Sequence, residues 1–150
     1  MIYFKVGKYP FIRAGNLTKK DEMNIIIPDK DSLINDLALK DYKLKKFPKG
    51  SILFAKSGRS ATKSNIGRLK EESYIVNHLA VIYDENKINL DFLYYFLEFY
   101  ETANLIPAQS DYPSIAISDI RKLKIPQISK PLKKKIIRDL EKIDRQNKEQ

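Results

Sequence analysis

The run Ser51-Ile52-Leu53-Phe54-Ala55 constrains this chain more than any other feature. It follows a Pro48-Lys49-Gly50 turn and is apolar at consecutive rather than alternate positions. Alternation marks a strand with one wet face, whereas a short continuous run marks a strand covered on both. A sheet with a packed layer on each side is therefore required. Further strand candidates are residues 2–6 and 11–13 around Gly7-Lys8-Tyr9-Pro10, Ile25-Ile26-Ile27 ended by Pro28, residues 65–69, and residues 74–83 closed by Asp84-Glu85-Asn86. Asn89 suits the cap of a helix over residues 90–104, with Asp91, Glu98 and Glu101 on one side. Its aromatics Tyr94, Tyr95, Phe96, Phe99 and Tyr100 then face the core rather than stack on bases. Residues 29–41 show no clean period, and residues 115–125 hold a Ser118-Asp119 helix start and a short exit strand before Pro126. The expected fold is α/β of the mixed α+β kind: a compact domain over residues 1–128 with a twisted mixed sheet and short helices.

A second unit is expected over residues 129–150. Ser129-Lys130-Pro131 opens a helix, since proline costs nothing in a first turn. Ile136, Leu140 and Ile143 recur at steps of four and three, and Asn147 takes the next position. That is the spacing of a coiled-coil seam in which one polar residue sets register. The same stripe would equally serve to pack the helix on its own domain, and two heptads leave both readings open.

Charge is segregated along the chain. Residues 40–70 carry ten Lys and Arg against the single acid Asp41, while the formal net charge of the whole is +9. Residues 121–150 carry eleven bases against four acids, and residues 71–120 nine acids against Lys87 alone. Clustered cations release counterions from a phosphate backbone, so a basic face for a polyanion is expected. The loop at residues 56–64, Lys-Ser-Gly-Arg-Ser-Ala-Thr-Lys-Ser, is its strongest candidate, against the alternative of a merely solvated loop. Ser57, Ser60, Thr62 and Ser64 offer hydroxyls to phosphates or base edges, and Gly58 permits close backbone approach. Arg59 is the candidate base reader, because its fork matches guanine O6 and N7. Lys56 and Lys63 suit phosphates, and Arg68 extends the patch.

Other chemistry is poorly served. There is no cysteine and one histidine, which excludes disulfides and thiolate zinc sites and fits a reducing cytoplasm. His78 sits in an apolar run, where a satisfied core side chain is expected. No run of about 20 apolar residues exists for a bilayer span. Asp29, Glu85 and Lys87 fit a loose metal-dependent nuclease pattern, but the last two fall in a turn. Glycine-rich and Asn-Pro-Pro-Tyr motifs for methyl transfer are lacking, so any methyl transfer belongs to a partner. A third possibility is an assembly decoy that pairs through its helix and binds DNA without sequence preference.

Landmarks in order along the chain resemble one family. YPFIRAGNL at residues 9–17, KGSILFAKSGRSATKSNIGRL at residues 49–69, YIVNHLAVI at residues 74–82, LDFLYYFLE at residues 90–98 and YPSIAISDIRKLKIPQI at residues 112–128 are similar to segments of the target-recognition domains of type I restriction-modification specificity subunits. The resemblance implies a non-catalytic domain that reads one half of a bipartite site in double-stranded DNA, followed by the start of a spacer helix. It implies modification (methyltransferase) and restriction subunits as partners, with S-adenosylmethionine, magnesium and ATP bound there and none by this chain. It also brings the first loop near DNA, with Arg13, Asn16 and Thr18 as candidate contacts, although Asn16 equally suits a turn after Gly15. Gln109 and Tyr112 form a weaker third cluster. A homodimer through Ile136, Leu140, Ile143 and Asn147 is a further possibility.

Overall fold

The computed structural model describes residues 2–108 and 111–148. Its elements run β1 (Phe11–Ile12), β2 (Ile25–Ile26), α1 (Asp36–Tyr42), β3 (Lys45–Phe47), β4 (Ile52–Ala55), β5 (Ile66–Leu69), β6 (Ser73–Ile75), β7 (Leu79–Ile82), α2 (Lys87–Tyr100), α3 (Ile117–Arg121) and α4 (Lys130–Lys148). Short 3-10 turns lie between them, among them Ala14–Thr18 and Arg59–Lys63. Strands β2, β5, β4 and β7 form a mixed sheet in that order, and β1, β6 and β3 form a second.

β4 lies in the interior of the larger sheet, antiparallel to β5 and β7, and all four of its residues are buried. Its side chains divide by the two-residue period of a strand. Ile52 and Phe54 join Leu90, Tyr94 and Leu97 of α2 in one core. Leu53 and Ala55 join Ile12, Ile75, Leu17 and Leu79 in a second core, roofed by the smaller sheet and the Ala14–Thr18 turn. The requirement for a layer on each side is met, and the fold is of the expected mixed class.

Other expectations are corrected. Residues 2–6 contain a 3-10 turn, Ile2–Phe4, instead of a strand. The Asn35 side chain, by donating to the Ile2 and Lys5 carbonyls, draws this stretch toward α1. α1 occupies part of the stretch without clean period, with Asn35 Oδ1 accepting from Ala38 N at 3.1 Å. Residues 74–83 are two strands in different sheets, because Asn77 and His78 make a turn that the surrounding apolar residues mask. α2 starts at Lys87, capped by Asn86, whose side chain accepts from the Ile88 and Asn89 amides. It ends at Tyr100, where Glu101 takes φ 62°. Phe99 is 88% exposed, so not every aromatic of α2 faces the core. Among the described residues no strand lies between α3 and Pro126.

α4 begins at Lys130 and lies against α2. Ile137 is buried, and Lys133 Nζ donates to Asn89 Oδ1 at 3.1 Å while lying over the Phe92 ring. Ile136 and Leu140 line an open hollow with Phe92, Tyr95, Phe96 and Phe99 of α2, whereas Ile143 is half exposed and Asn147 is exposed. The stripe is thus shared: its first half faces the chain's own domain, its second half faces outward.

Candidate nucleic-acid interface

Strand direction decides which loops meet. β1 runs parallel to β6, pairing Ile12 with Ile75, so Arg13 and Val76 leave the sheet at the same end. The Val76 amide donates to Ile12 O at 3.0 Å, extending the pairing past the strands. β4 is antiparallel to β7 and pairs Ala55 with Leu79, which sets Lys56 opposite His78, with the Lys56 amide donating to His78 O at 3.2 Å. Residues 112–115 close the group, for the Ile115 amide donates to Lys56 O at 2.7 Å and the Gly58 amide to Pro113 O at 2.9 Å. Four chain segments far apart in sequence therefore converge at one end of the two sheets.

Between them lies an open cleft of about 660 Å³ lined by Arg13, Asn16, Lys19, Ser57, His78 and Tyr112, with Asp29 at its wall. Arg13 is exposed, sits over the Phe4 ring, and donates to Ser32 Oγ at 3.0 Å. Lys19 pairs with Asp29 at 2.9 Å, and the lysine holds that carboxyl below the usual carboxylate range. Gly58 has φ +72°, and a Cβ there would stand 3.1 Å from the Tyr112 hydroxyl. Glycine is what lets the two loops approach this closely.

Of the residues singled out from sequence, Arg13, Asn16, Ser57 and Tyr112 line this cleft and Gly58 lies against its rim. Arg59, Thr62 and Lys63 are exposed on the adjoining 3-10 turn, where Thr62 Oγ1 donates to Arg59 O at 2.7 Å. Ser60 is half-buried on the same turn, and Lys56 is half-buried in a second hollow beside the cleft. Thr18 is exposed and donates to Gly15 O, while Gln109 lies outside the described residues.

Three candidates are redirected. Asn16 is 2% exposed, with Oδ1 accepting from Arg13 N at 2.8 Å and Nδ2 donating to Asp29 at 3.3 Å. Its amide shapes the loop and is not open to a base. Ser64 Oγ accepts from the Ala103 amide at 2.9 Å, tying the basic loop to the 3-10 turn that follows α2. Arg68 stands apart from the cleft: its guanidinium is 2.7 Å from Asp91 and packs over Tyr94. Strand periodicity explains this, since Arg68 and Ile66 share the face of β5 turned to α2.

Sequence reasoning missed Lys19 and misplaced His78. The histidine is exposed, with Nδ1 3.5 Å from Ser57 Oγ, rather than a core side chain. The Asn77-His78 pair inside an apolar run was the signal of a turn. The nuclease pattern finds no support. Asp29 is engaged by Lys19 and Asn16, and no three His, Cys, Asp or Glu side chains among the described residues group as metal ligands. No helix among the described residues is long and apolar enough to cross a membrane.

A mixed-sheet scaffold that gathers cationic and hydroxyl-bearing loops at one end has the architecture of a recognition domain. The profile of the type I restriction modification DNA specificity domain matches residues 3–150, and the chain belongs to that family. It is 38% identical over 122 residues to the type I restriction enzyme MjaIX specificity subunit of Methanocaldococcus jannaschii, a match that covers 79% of this chain and 27% of that protein. It also superposes, with a TM-score of 0.70 and 17% identity, on a chain from structural work on complex assembly and conformational transition of the type I R-M system. That match covers 95% of this chain and 32% of the other, and at this identity it concerns the fold alone. The chain thus spans about a quarter of the length of its curated relative. This family assignment leaves the nuclease and decoy readings without support.

Proposed function

We propose that this domain reads one half of a bipartite DNA target for a type I restriction-modification system and carries out no chemistry itself. Methyl transfer and cleavage belong, on this reading, to modification and restriction subunits, with S-adenosylmethionine, magnesium and ATP bound by them. The observation that carries the reading is the convergence of Arg13, Ser57, Gly58 and Tyr112 from separated loops on one open cleft beside the exposed Arg59 and Lys63. Membership of the DNA specificity-domain family supports double-stranded DNA as the ligand of that cleft. The outward half of the α4 stripe, Ile143 and Asn147, is the candidate face for a partner helix, from a modification subunit or a second copy.

A compact recognition module of this size suits a half-site of about three to five base pairs. Selection of bound sequences from randomised duplexes, with and without a modification subunit, tests the assignment. One enriched short motif supports it. Arg59→Ala should then weaken the motif by about 1–3 kcal/mol more than random DNA, the worth of a bidentate base contact. Lys63→Ala should weaken both alike, as a phosphate contact does. Equal losses in both variants would remove Arg59 from base reading.

A further inference from the structure

Three hollows open around a single turn. Val76, Asn77 and His78 link β6 to β7, and Val76 lines the cleft described above, a basic groove beside it and an apolar pocket behind it. The basic groove, about 690 Å³, is lined by Lys45, Lys56 and Arg121 with no acid among its lining residues. None of these three cations has an ion-pair partner among the described residues. The turn therefore forms a ridge with these three cations on one side and the exposed Arg13 on the other.

The ridge is rigid at its base and open at its tip. Ile75 and Leu79, which bracket it, are 3% and 4% exposed, while Asn77 and His78 between them are exposed. Its backbone is pinned by the Val76 amide to Ile12 O, the Leu79 amide to Val76 O and the Lys56 amide to His78 O. The Asn77 side-chain amide has no hydrogen-bond partner among the described residues, and the His78 imidazole has only the long contact of Nδ1 to Ser57. Asparagine can pair in a bidentate way with adenine N6 and N7, and an imidazole can donate to or accept from a base edge. Buried neighbours that hold a short polar tip in a fixed orientation are what a base contact requires, because little side-chain or loop freedom is then lost on binding.

We infer that the Val76–Asn77–His78 turn is a base-reading element of this domain, with Asn77 and His78 on base edges and Lys45, Lys56 and Arg121 on the phosphates beside them. The inference rests on the DNA-binding reading above and assigns specificity to a turn that the basic loop at residues 56–64 flanks.

The test uses the whole chain and a pool of duplexes randomised over one helical turn. Asn77→Ala and His78→Ala should each retain the melting temperature of the native chain, since both side chains are exposed. Each should cut the preference for the selected motif over random duplex by about 5- to 150-fold, and flatten the enrichment at one or two adjacent positions. Lys45→Ala and Arg121→Ala should weaken motif and random duplex equally, each reducing the salt slope by about one. A selected motif whose every position survives in the Asn77→Ala/His78→Ala double variant overturns the inference while leaving DNA recognition intact. A native chain that enriches no motif overturns both.

Discussion

The guanidinium of Arg68 shows how one residue can belong to a basic stretch of sequence without belonging to a basic surface. It is 18% exposed, Asp91 is 14% exposed, and their 2.7 Å contact sits under Tyr94. Removing one partner of a half-buried pair leaves the other charge without compensation. Arg68→Ala should cost about 1.5–3 kcal/mol in urea unfolding, the range of hydrogen bonds to charged groups, and leave DNA binding of the folded fraction unchanged. Specific loss of DNA affinity at unchanged stability would return Arg68 to the interface. Asp29 makes a different residue-scale statement. Its Lys19 hydrogen bond, supported by Asn16, holds the carboxyl below its ordinary range. A depressed carboxylate stabilises the folded chain above its unfolded pKa, and that contribution disappears as pH falls through the folded value. Asp29→Asn should therefore be less stable than the native chain at neutral pH, and the gap should close on acidification below the usual aspartate range. A gap independent of pH would show that shape, not charge, is what Asp29 supplies.

At the scale of elements, β4 is the member on which both cores depend. Phe54 is fully buried against α2, while its neighbours Leu53 and Ala55 serve the other face. Phe54→Ala should cost about 3–5 kcal/mol, as other large-to-small core changes do, and loosen both layers at once. Calorimetric unfolding with a lowered midpoint but one transition is the expected result; two separated transitions would mean that the layers fold independently. β4 was legible because burial on both faces leaves a run with no polar interruption. The basic loop after it was legible for the opposite reason, since residues 56–64 hold nothing large and apolar. β6 and β7 were not separable by the same logic, because neither has an exposed residue and the two-residue break is shorter than any window of periodicity. β3 was hidden because Lys45 and Lys46 are exposed on a strand whose pairing with β6 is set by the partner. The partners in the cleft were the least legible of all: Arg13 meets Val76 only through a parallel pairing, and no local pattern reports which strands will pair in parallel.

Over the whole molecule the charge segregation becomes spatial. The hollow between the β2 edge, α2 and α4 is lined by Glu22, Glu98, Glu141 and Asp144 against the single cation Arg68, while the cleft and its neighbouring groove carry Arg13, Lys19, Lys45, Lys56 and Arg121 against the single acid Asp29. On the proposed reading the duplex meets the end that carries the cleft and groove, because clustered cations steer a polyanion toward them. The cations of α4 line neither the cleft nor the groove, and this reading expects them to add nothing to binding. Lys135 and Lys142 are exposed on this helix, which packs against α2. If about four to six phosphates are engaged, raising salt fourfold should lower affinity for random duplex by about 10²- to 10³-fold, since the slope is near −0.9 per phosphate. Neutralising Lys135 and Lys142 together should leave that slope unchanged, whereas neutralising Lys56 and Lys63 should lower it by nearly two. Titrations over a series of salt concentrations distinguish the cases directly. A slope that falls as much for the α4 pair as for the loop pair would place the duplex along the helix, and with it the contact surface of the domain.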